Sequence, residues 1–239
     1  MKKMKVLLVD DERAAREELK YVLQPYTDVE IVGEARNAAE AAEKIRALQP
    51  DLVFLDIQMP GQSGFDLLQQ LPEVPEVIFI TAFDRYALQA FDNNALDYLM
   101  KPVREERFAR AMEKARQRLA ERQALEQQQA AGKQLFIKDG ERCFFIQTPA
   151  IYLVESMENY SRVYFGNQMV CLKRSLHQWE KQLGTSLFFR INRAQIINVQ
   201  YIAAIKHLAN GSLALTLKNG RELEMSVRRA ARFKHRNPL

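Results

Sequence analysis

The sequence predicts two joined domains of different class. The first is an α/β domain built on a five-stranded parallel sheet; the second is a mostly antiparallel all-β domain. Three observations carry this. Short apolar runs alternate with amphipathic helical stretches up to about residue 118, the pattern of a parallel sheet covered on both faces. After Lys133, β-branched and aromatic runs follow one another with turn residues between them. The charge also changes sign: residues 1–116 hold 16 Lys/Arg against 21 Asp/Glu, whereas residues 134–239 hold 16 against 7. A basic second half of this kind is the electrostatic footprint expected for a polyanion partner.

The elements of the first half follow in order. KVLLV (5–9) is a buried strand that ends in Asp10, Asp11 and Glu12, and residues 13–23 carry a helical apolar stripe. VEIVG (29–33) is the second strand and 38–48 the second helix, closed by Pro50. DLVFLD (51–56) is the third strand, followed by the Pro60–Gly61 turn, Ser63–Gly64 and a helix over 65–71. EVIFIT (76–81), a helix over 84–93, ALDYLM (95–100) and a helix from about Arg104 complete the set. Residues 103–131 lack Pro and Gly and favour helix, so 119–133 reads as a helical, polar linker between domains 1–118 and 134–239.

In the second half, runs 135–139, 142–146, 151–156, 161–165 and 169–173 read as strands, with Asp139–Gly140 a hairpin turn. SLHQWEKQL (175–183) reads as an amphipathic helix with Ser175 as its N-cap. Strands around 213–217 and 222–227 follow Asn-Gly turns, and RRAARFKHR closes the chain as a basic tail.

The composition, 47% hydrophobic and 27% charged, excludes wholesale disorder. No window approaches the roughly 18 apolar residues of a membrane span, and the first apolar run stops at Asp10, too soon for a signal-peptide core. Two cysteines, Cys143 and Cys171, form no disulfide framework, so a cytoplasmic protein without membrane association is expected.

Asp10, Asp11, Asp56, Thr81 and Lys101 all fall at or just past strand C-termini, the edge where open α/β sheets bind ligands. Converging carboxylates call for a hard divalent cation, and a lysine and threonine beside them suit phosphoryl transfer to one carboxylate. This constellation, with FLDIQMPGQSG, Thr81–Ala82, Asp97–Tyr98 and Lys101–Pro102, resembles a response-regulator receiver domain over residues 4–118. The resemblance implies a flavodoxin-like fold with Asp56 as phosphoacceptor. It implies Mg²⁺ (or Mn²⁺) held by Asp11, Asp56 and the Gln58 carbonyl, with Asp10 assisting. It assigns Lys101, Thr81 and the Ala82 backbone to the phosphoryl group and Tyr98 to a switch that buries on phosphorylation.

The ordered pieces YLVESMENYSRVYF, LKRSLHQWEKQL, FFRINRAQIINVQYIAAI and MSVRRA resemble the LytTR DNA-binding domain over 134–237, with Asn192 where that family usually has histidine. This resemblance implies three reading elements for duplex DNA: the loop with Asn159, Ser161 and Arg162, then Arg193, then Arg228. Arginine suits bidentate contact to guanine, while Lys173, Arg174, Arg229 and Arg232 suit phosphates. The whole then implies a transcription regulator phosphorylated by a sensor histidine kinase and dimerising on phosphorylation. The resemblance implies no enzymatic activity beyond the chain's own aspartyl-phosphate chemistry. Receiver-controlled RNA binding and an enzymatic output are the alternatives; residues 134–239 contain no metal-ligand spacing, GxSxG or phosphate-binding glycine loop.

Overall fold

The computed structural model describes residues 3–82, 95–127, 132–140 and 142–236, so the helix expected over 84–93 lies outside the described residues. Two compact units divide the chain, Met1–Ile146 and Gln147–Leu239.

In the first unit, β1 (Met4–Val9), β2 (Val29–Ala35), β3 (Leu52–Leu55), β4 (Glu76–Thr81) and β5 (Asp97–Met100) form one parallel sheet in the order β2-β1-β3-β4-β5. The strands read as unbroken apolar runs because both faces are covered. Leu7, Val9, Val53, Leu55, Val77 and Phe79 face α2 (Ala38–Leu48) and α3 (Gly64–Gln70). Their neighbours Val6, Leu8, Leu52, Phe54, Ile78 and Ile80 face α1 (Arg13–Leu23) and α4 (Glu105–Gln127). The α4 stripe of Phe108, Ala111, Met112 and Ala115 is buried, and the helix runs on without a break to Gln127 through most of the expected linker.

The hairpin of β6 (Gln134–Asp139) and β7 (Arg142–Gln147) differs from expectation. The sequence division places it in the second domain, yet it packs within the first unit. Phe136 stacks on Phe65 of α3 at 6.1 Å and meets Phe145 at 5.0 Å, while Phe145 sits edge-on to Phe79 of β4 at 6.3 Å. The backbone of Val74 donates to the Gln134 carbonyl at 2.9 Å, and the Gln134 amide donates to the Pro75 carbonyl at 3.0 Å. Leu135, Phe136, Ile137, Cys143, Phe144, Phe145 and Ile146 are all buried, so the hairpin lacks the polar-out alternation of a solvated sheet. Burial pushes the Cys143 thiol up to about 11, which makes it a packing residue.

In the second unit, β8 (Ile151–Met157), β9 (Tyr160–Phe165), β10 (Gln168–Leu172), β11 (Phe188–Arg190) and β12 (Gln195–Asn198) form a sheet in the order β10-β9-β8-β12-β11. The pairings β9–β10, β8–β9, β8–β12 and β11–β12 are antiparallel. A second antiparallel sheet holds β13 (Ile202–His207), β14 (Leu213–Leu217) and β15 (Glu222–Met225). The helix α5 (Leu176–Leu183) starts at a Ser175–Gln178 capping box and buries Trp179, whose indole N–H donates to Ser161 Oγ at 2.7 Å. The end of the chain is not a loose basic tail. Val227–Arg236 forms helix α6, whose Ala230 and Phe233, one turn apart, pack with Leu153, Phe189, Ile191 and Leu215 in one core.

Candidate functional site

The C-terminal ends of the parallel strands are tied together by backbone hydrogen bonds. Asp10 N–H donates to the Ala35 carbonyl (3.0 Å), Asp56 N–H to Val9 (2.8 Å) and Lys101 N–H to Thr81 (3.0 Å). Each of these bonds seats a functional residue just past its strand, so the polar groups converge without any long loop. The turn after Asp56 is equally constrained. A Cβ at Gly64 would lie 2.4 Å from the Asp56 carbonyl oxygen, so only glycine lets α3 begin this close to the acceptor. Ser63 caps that helix and Asp66 completes a capping box.

One ligand atom from each of Asp10, Asp11 and Asp56 falls within 4.8 Å of the others. Asp10 and Asp56 are buried; Asp11 is exposed. Lys101 Nζ bridges the two buried carboxylates at 2.7 Å and 2.8 Å and lies 3.4 Å from Glu12. Burial alone would drive protons off Lys101, but its hydrogen bonds to Asp10 and Asp56 win and hold the ammonium well above the usual lysine range. Burial also pushes the Asp10 carboxyl up, opposed by Lys101. Backbone N–H groups of Glu12 and Gln58 donate to Asp10 and Asp56, each at 3.0 Å. The residues fit a divalent cation: three carboxylates meet, with one of them exposed to admit it.

Thr81 is 1% exposed, and its hydroxyl has no hydrogen-bond partner among the described residues. A buried, unanswered hydroxyl costs free energy, about 1–3 kcal/mol, and is expected where a ligand oxygen belongs. Ala82 is exposed beside it. Tyr98 is 4% exposed, in one core cluster with Phe79, Phe136 and Phe145, so its ring is already buried rather than waiting to bury. Asp97 is structural, pairing with Arg107 at 3.1 Å and Lys114 at 3.0 Å. Sequence reading missed Arg16, whose guanidinium donates to the Asp10 and Asp11 carbonyls at 2.7 Å and 3.3 Å. Its place in the first turn of α1, just after the acidic pair, was the available signal.

In the second unit, three segments lie side by side. The loop between β11 and β12 carries Arg193. On one side, Ser156 N–H donates to the Ala194 carbonyl at 2.7 Å, next to the β8–β9 turn that holds Asn159. On the other, Ser226 N–H donates to the Ile191 carbonyl at 3.0 Å, next to Arg228 at the start of α6. Asn159, Lys173, Arg193, Arg228 and Arg232 are exposed. Neither the Arg193 nor the Arg228 guanidinium has an ion pair or hydrogen bond among the described residues.

Arg190 is the scaffold beneath. It binds Glu180 at 2.8 Å and the carbonyls of Asn192 and Arg193 at 3.2 Å and 2.9 Å. Arg229 is half-buried, and burial lowers its affinity for the proton, with Arg190, Arg232 and Arg228 adding repulsion and Glu180 opposing it.

Three expected DNA contacts are placed differently. Ser161 is fully buried and accepts the Trp179 bond, because it shares the inward side of β9 with Val163. Arg162 lies on the opposite face of β9, across from Glu155 and Cys171, rather than in a loop. Arg174 stacks on the Trp179 ring at 4.8 Å and bonds Gln182, so its guanidinium is committed inside the unit.

Comparison with known proteins matches the two halves of the chain to two families, the second match beginning within the hairpin, at residue 141. The response regulator receiver domain family matches residues 6–113, and the LytTr DNA-binding domain family matches residues 141–237. The chain belongs to the response regulators that join a receiver domain to a LytTr DNA-binding domain. Sensory transduction protein LytT of Enterococcus faecalis is 35% identical over 240 residues, covering 98% of each chain. Transcriptional regulatory protein BtsR of Salmonella typhi is 36% identical over 232 residues, covering 94% of this chain and 95% of its own. Among solved structures, the response regulatory domain of protein mrkE from Klebsiella pneumoniae is 31% identical. It covers 49% of this chain and 99% of its own, with a TM-score of 0.46. Among the described residues no helix is long and apolar enough to cross a membrane.

Proposed function

We propose that this chain is a transcription regulator of the cytoplasm whose duplex-DNA binding is controlled by phosphorylation of Asp56. The observation that carries the reading is the convergence of Asp10, Asp11 and Asp56 with Lys101 bridging two of them, at the strand edge where the Lys101 N–H is bonded to the carbonyl of Thr81, whose hydroxyl is unanswered. An Asp56 carboxylate oxygen attacks the phosphorus of a sensor kinase's phosphohistidine. The new O–P bond forms as the P–N bond breaks, and the electron pair leaves with the imidazole. Lys101 exchanges its ion pair with Asp56 for one with a phosphoryl oxygen, Thr81 Oγ donates to another, and the Ala82 N–H faces a third. Asp10, Asp11, Asp56 and the Gln58 carbonyl would hold Mg²⁺ or Mn²⁺, which supplies the positive charge that offsets three carboxylates and an incoming phosphoryl group.

On the DNA side, the exposed guanidinium groups of Arg193 and Arg228 reach base edges, with Asn159 beside them, while Lys173, Arg229 and Arg232 meet phosphates. Two copies joined through their first units present two DNA-binding units at once, and such joining raises affinity without new contacts. Of the aromatics that an RNA-binding reading needs for base stacking, Tyr164 is covered by Arg221 at 4.8 Å and packs on Tyr152 at 6.0 Å, whereas Tyr160 is exposed.

The test is phosphorylation of the full chain by acetyl phosphate with Mg²⁺. The protein is expected to gain one hydroxylamine-sensitive phosphoryl group. Asp56→Asn, or chelation of the metal, is expected to abolish the gain. Labelling of the Asn variant at the parental rate overturns the assignment.

A further inference from the structure

The loop that carries Arg193 is short, and one side chain closes it. Asn192 Oδ1 accepts from the Ala194 N–H at 2.8 Å, folding the backbone around Arg193. Asn192 Nδ2 donates in two directions. One bond runs to Gln195 Oε1 at 2.8 Å and the other to the main-chain carbonyl of Glu224, on β15, at 3.0 Å. The second bond leaves the loop and reaches the strand that leads into Arg228. With the Ser226–Ile191 backbone bond it makes two struts that hold the Arg193 loop to the β15–α6 junction. Gln195 extends the network by donating to Glu155 Oε1 on β8 at 2.7 Å. Arg221 anchors the far oxygen of Glu155, also at 2.7 Å.

We infer that Asn192 is a specificity-positioning residue. It fixes the spacing between Arg193 and Arg228, so that both guanidinium groups reach their bases together, and it touches no DNA itself. The inference rests on reading those two arginines as base contacts. A bidentate arginine–guanine pair demands a fixed distance and plane, whereas a phosphate contact tolerates wobble. A loosened loop therefore loses discrimination while keeping its charge, and its non-specific binding survives. Only a primary amide meets the local demand, since the position needs an acceptor for Ala194 N–H and donors for two oxygens. Aspartate keeps the acceptor but puts an anionic oxygen, with no proton to donate, against the Glu224 carbonyl oxygen.

The experiment uses the full-length protein and two duplexes: one recovered by it from a random pool, and a shuffled duplex of the same composition. Asn192→Ala and Asn192→Asp are expected to lower the affinity ratio between the two about ten-fold, equivalent to about 1.4 kcal/mol. Affinity for the shuffled duplex is expected to change less than about three-fold for Asn192→Ala, with an unchanged salt slope. In an Arg193→Ala background the Asn192→Ala effect on the ratio is expected to vanish, because the two act through one contact. Asn192→Asp retains the Ala194 turn and serves if the alanine variant fails to fold. Equal weakening on both duplexes, or a full Asn192 effect without Arg193, overturns the positioning role. An unchanged ratio for Arg193→Ala overturns the base-reading assignment beneath it, which separates the two failures.

Discussion

Around Asp56, Asp10 and Lys101 are bound to it or to each other in a largely buried cluster; around Arg193 the working side chains stand in solvent on a bound backbone. Lys101 is held by two carboxylates at 2.7 Å and 2.8 Å, and Thr81 is sealed beside them. Arg193 and Arg228 are exposed, and the hydrogen bonds near them belong to Arg190, Asn192 and Ser226. The contrast follows from the ligands. A phosphoryl group is small and must be enclosed, so charge is concentrated where the local dielectric is low. A DNA duplex is large and arrives from outside, so the protein fixes the mounting points and leaves the reading groups unpaired. In the first case function and stability share the same atoms; in the second they are separated.

The strongest way to break that contrast is at Lys101. Lys101→Ala leaves Asp10 and Asp56 facing each other, and the first unit is expected to lose about 3 kcal/mol in the absence of divalent cations. Added Mg²⁺ is expected to restore part of that, since a ligand that binds the folded state stabilises it. Arg228→Ala is expected to change the melting of the second unit by less than about 0.5 kcal/mol. Calorimetry of both variants, with and without Mg²⁺, checks the pair. A thermally neutral Lys101→Ala would contradict the account of the acid cluster.

Phe136→Ala sharpens the boundary between the two regions. It is expected to cost about 3–4 kcal/mol. The loss should appear in the transition of the first unit, because its ring packs on Phe65 and Phe145. A loss confined to the second unit would place the hairpin there instead.

A smaller effect comes from a buried acid that lacks a partner like Lys101. Glu76 is buried, its closest guanidinium is that of Arg118 at 3.8 Å, and burial raises its carboxyl above the ordinary value of 4.5. The raised value means that the unfolded chain ionises first. The stability associated with Glu76 is therefore full below 4.5 and declines as pH rises toward the folded value. Glu76→Gln is expected to raise the first melting transition at pH 7, because the neutral amide avoids ionising a buried carboxyl. The gain should disappear on acidification below the ordinary value, and melting curves across that range decide it.

The acid cluster was legible because a parallel strand announces its own end: LLVDD and LVFLD stop where the apolar run stops, which puts Asp10, Asp11 and Asp56 at one edge. The DNA end was legible only in part. Ser161 falls both in the expected reading loop and in the strand run 161–165, and the alternation Ser161–Val163 turns it inward. Arg174 follows the pattern of a phosphate contact in sequence, but the Trp179 ring five residues on offers it a stacking surface that only folding brings near. Ala230 and Phe233 were the spacing that could have revealed α6 within a run dominated by charge. The hairpin's runs read as strands; nothing in them named α3 and β4 as what covers Phe136 and Phe145.

A salt titration of four alanine variants, on the selected duplex and its shuffled counterpart, tests the separation of reading from mounting most directly. Arg193→Ala and Arg228→Ala are expected to lose roughly 1–3 kcal/mol on the selected duplex and little on the shuffled one. Lys173→Ala and Arg232→Ala are expected to weaken both alike and to flatten the slope of log affinity against log salt by about one. Equal losses on both duplexes for Arg193→Ala and Arg228→Ala would contradict the account.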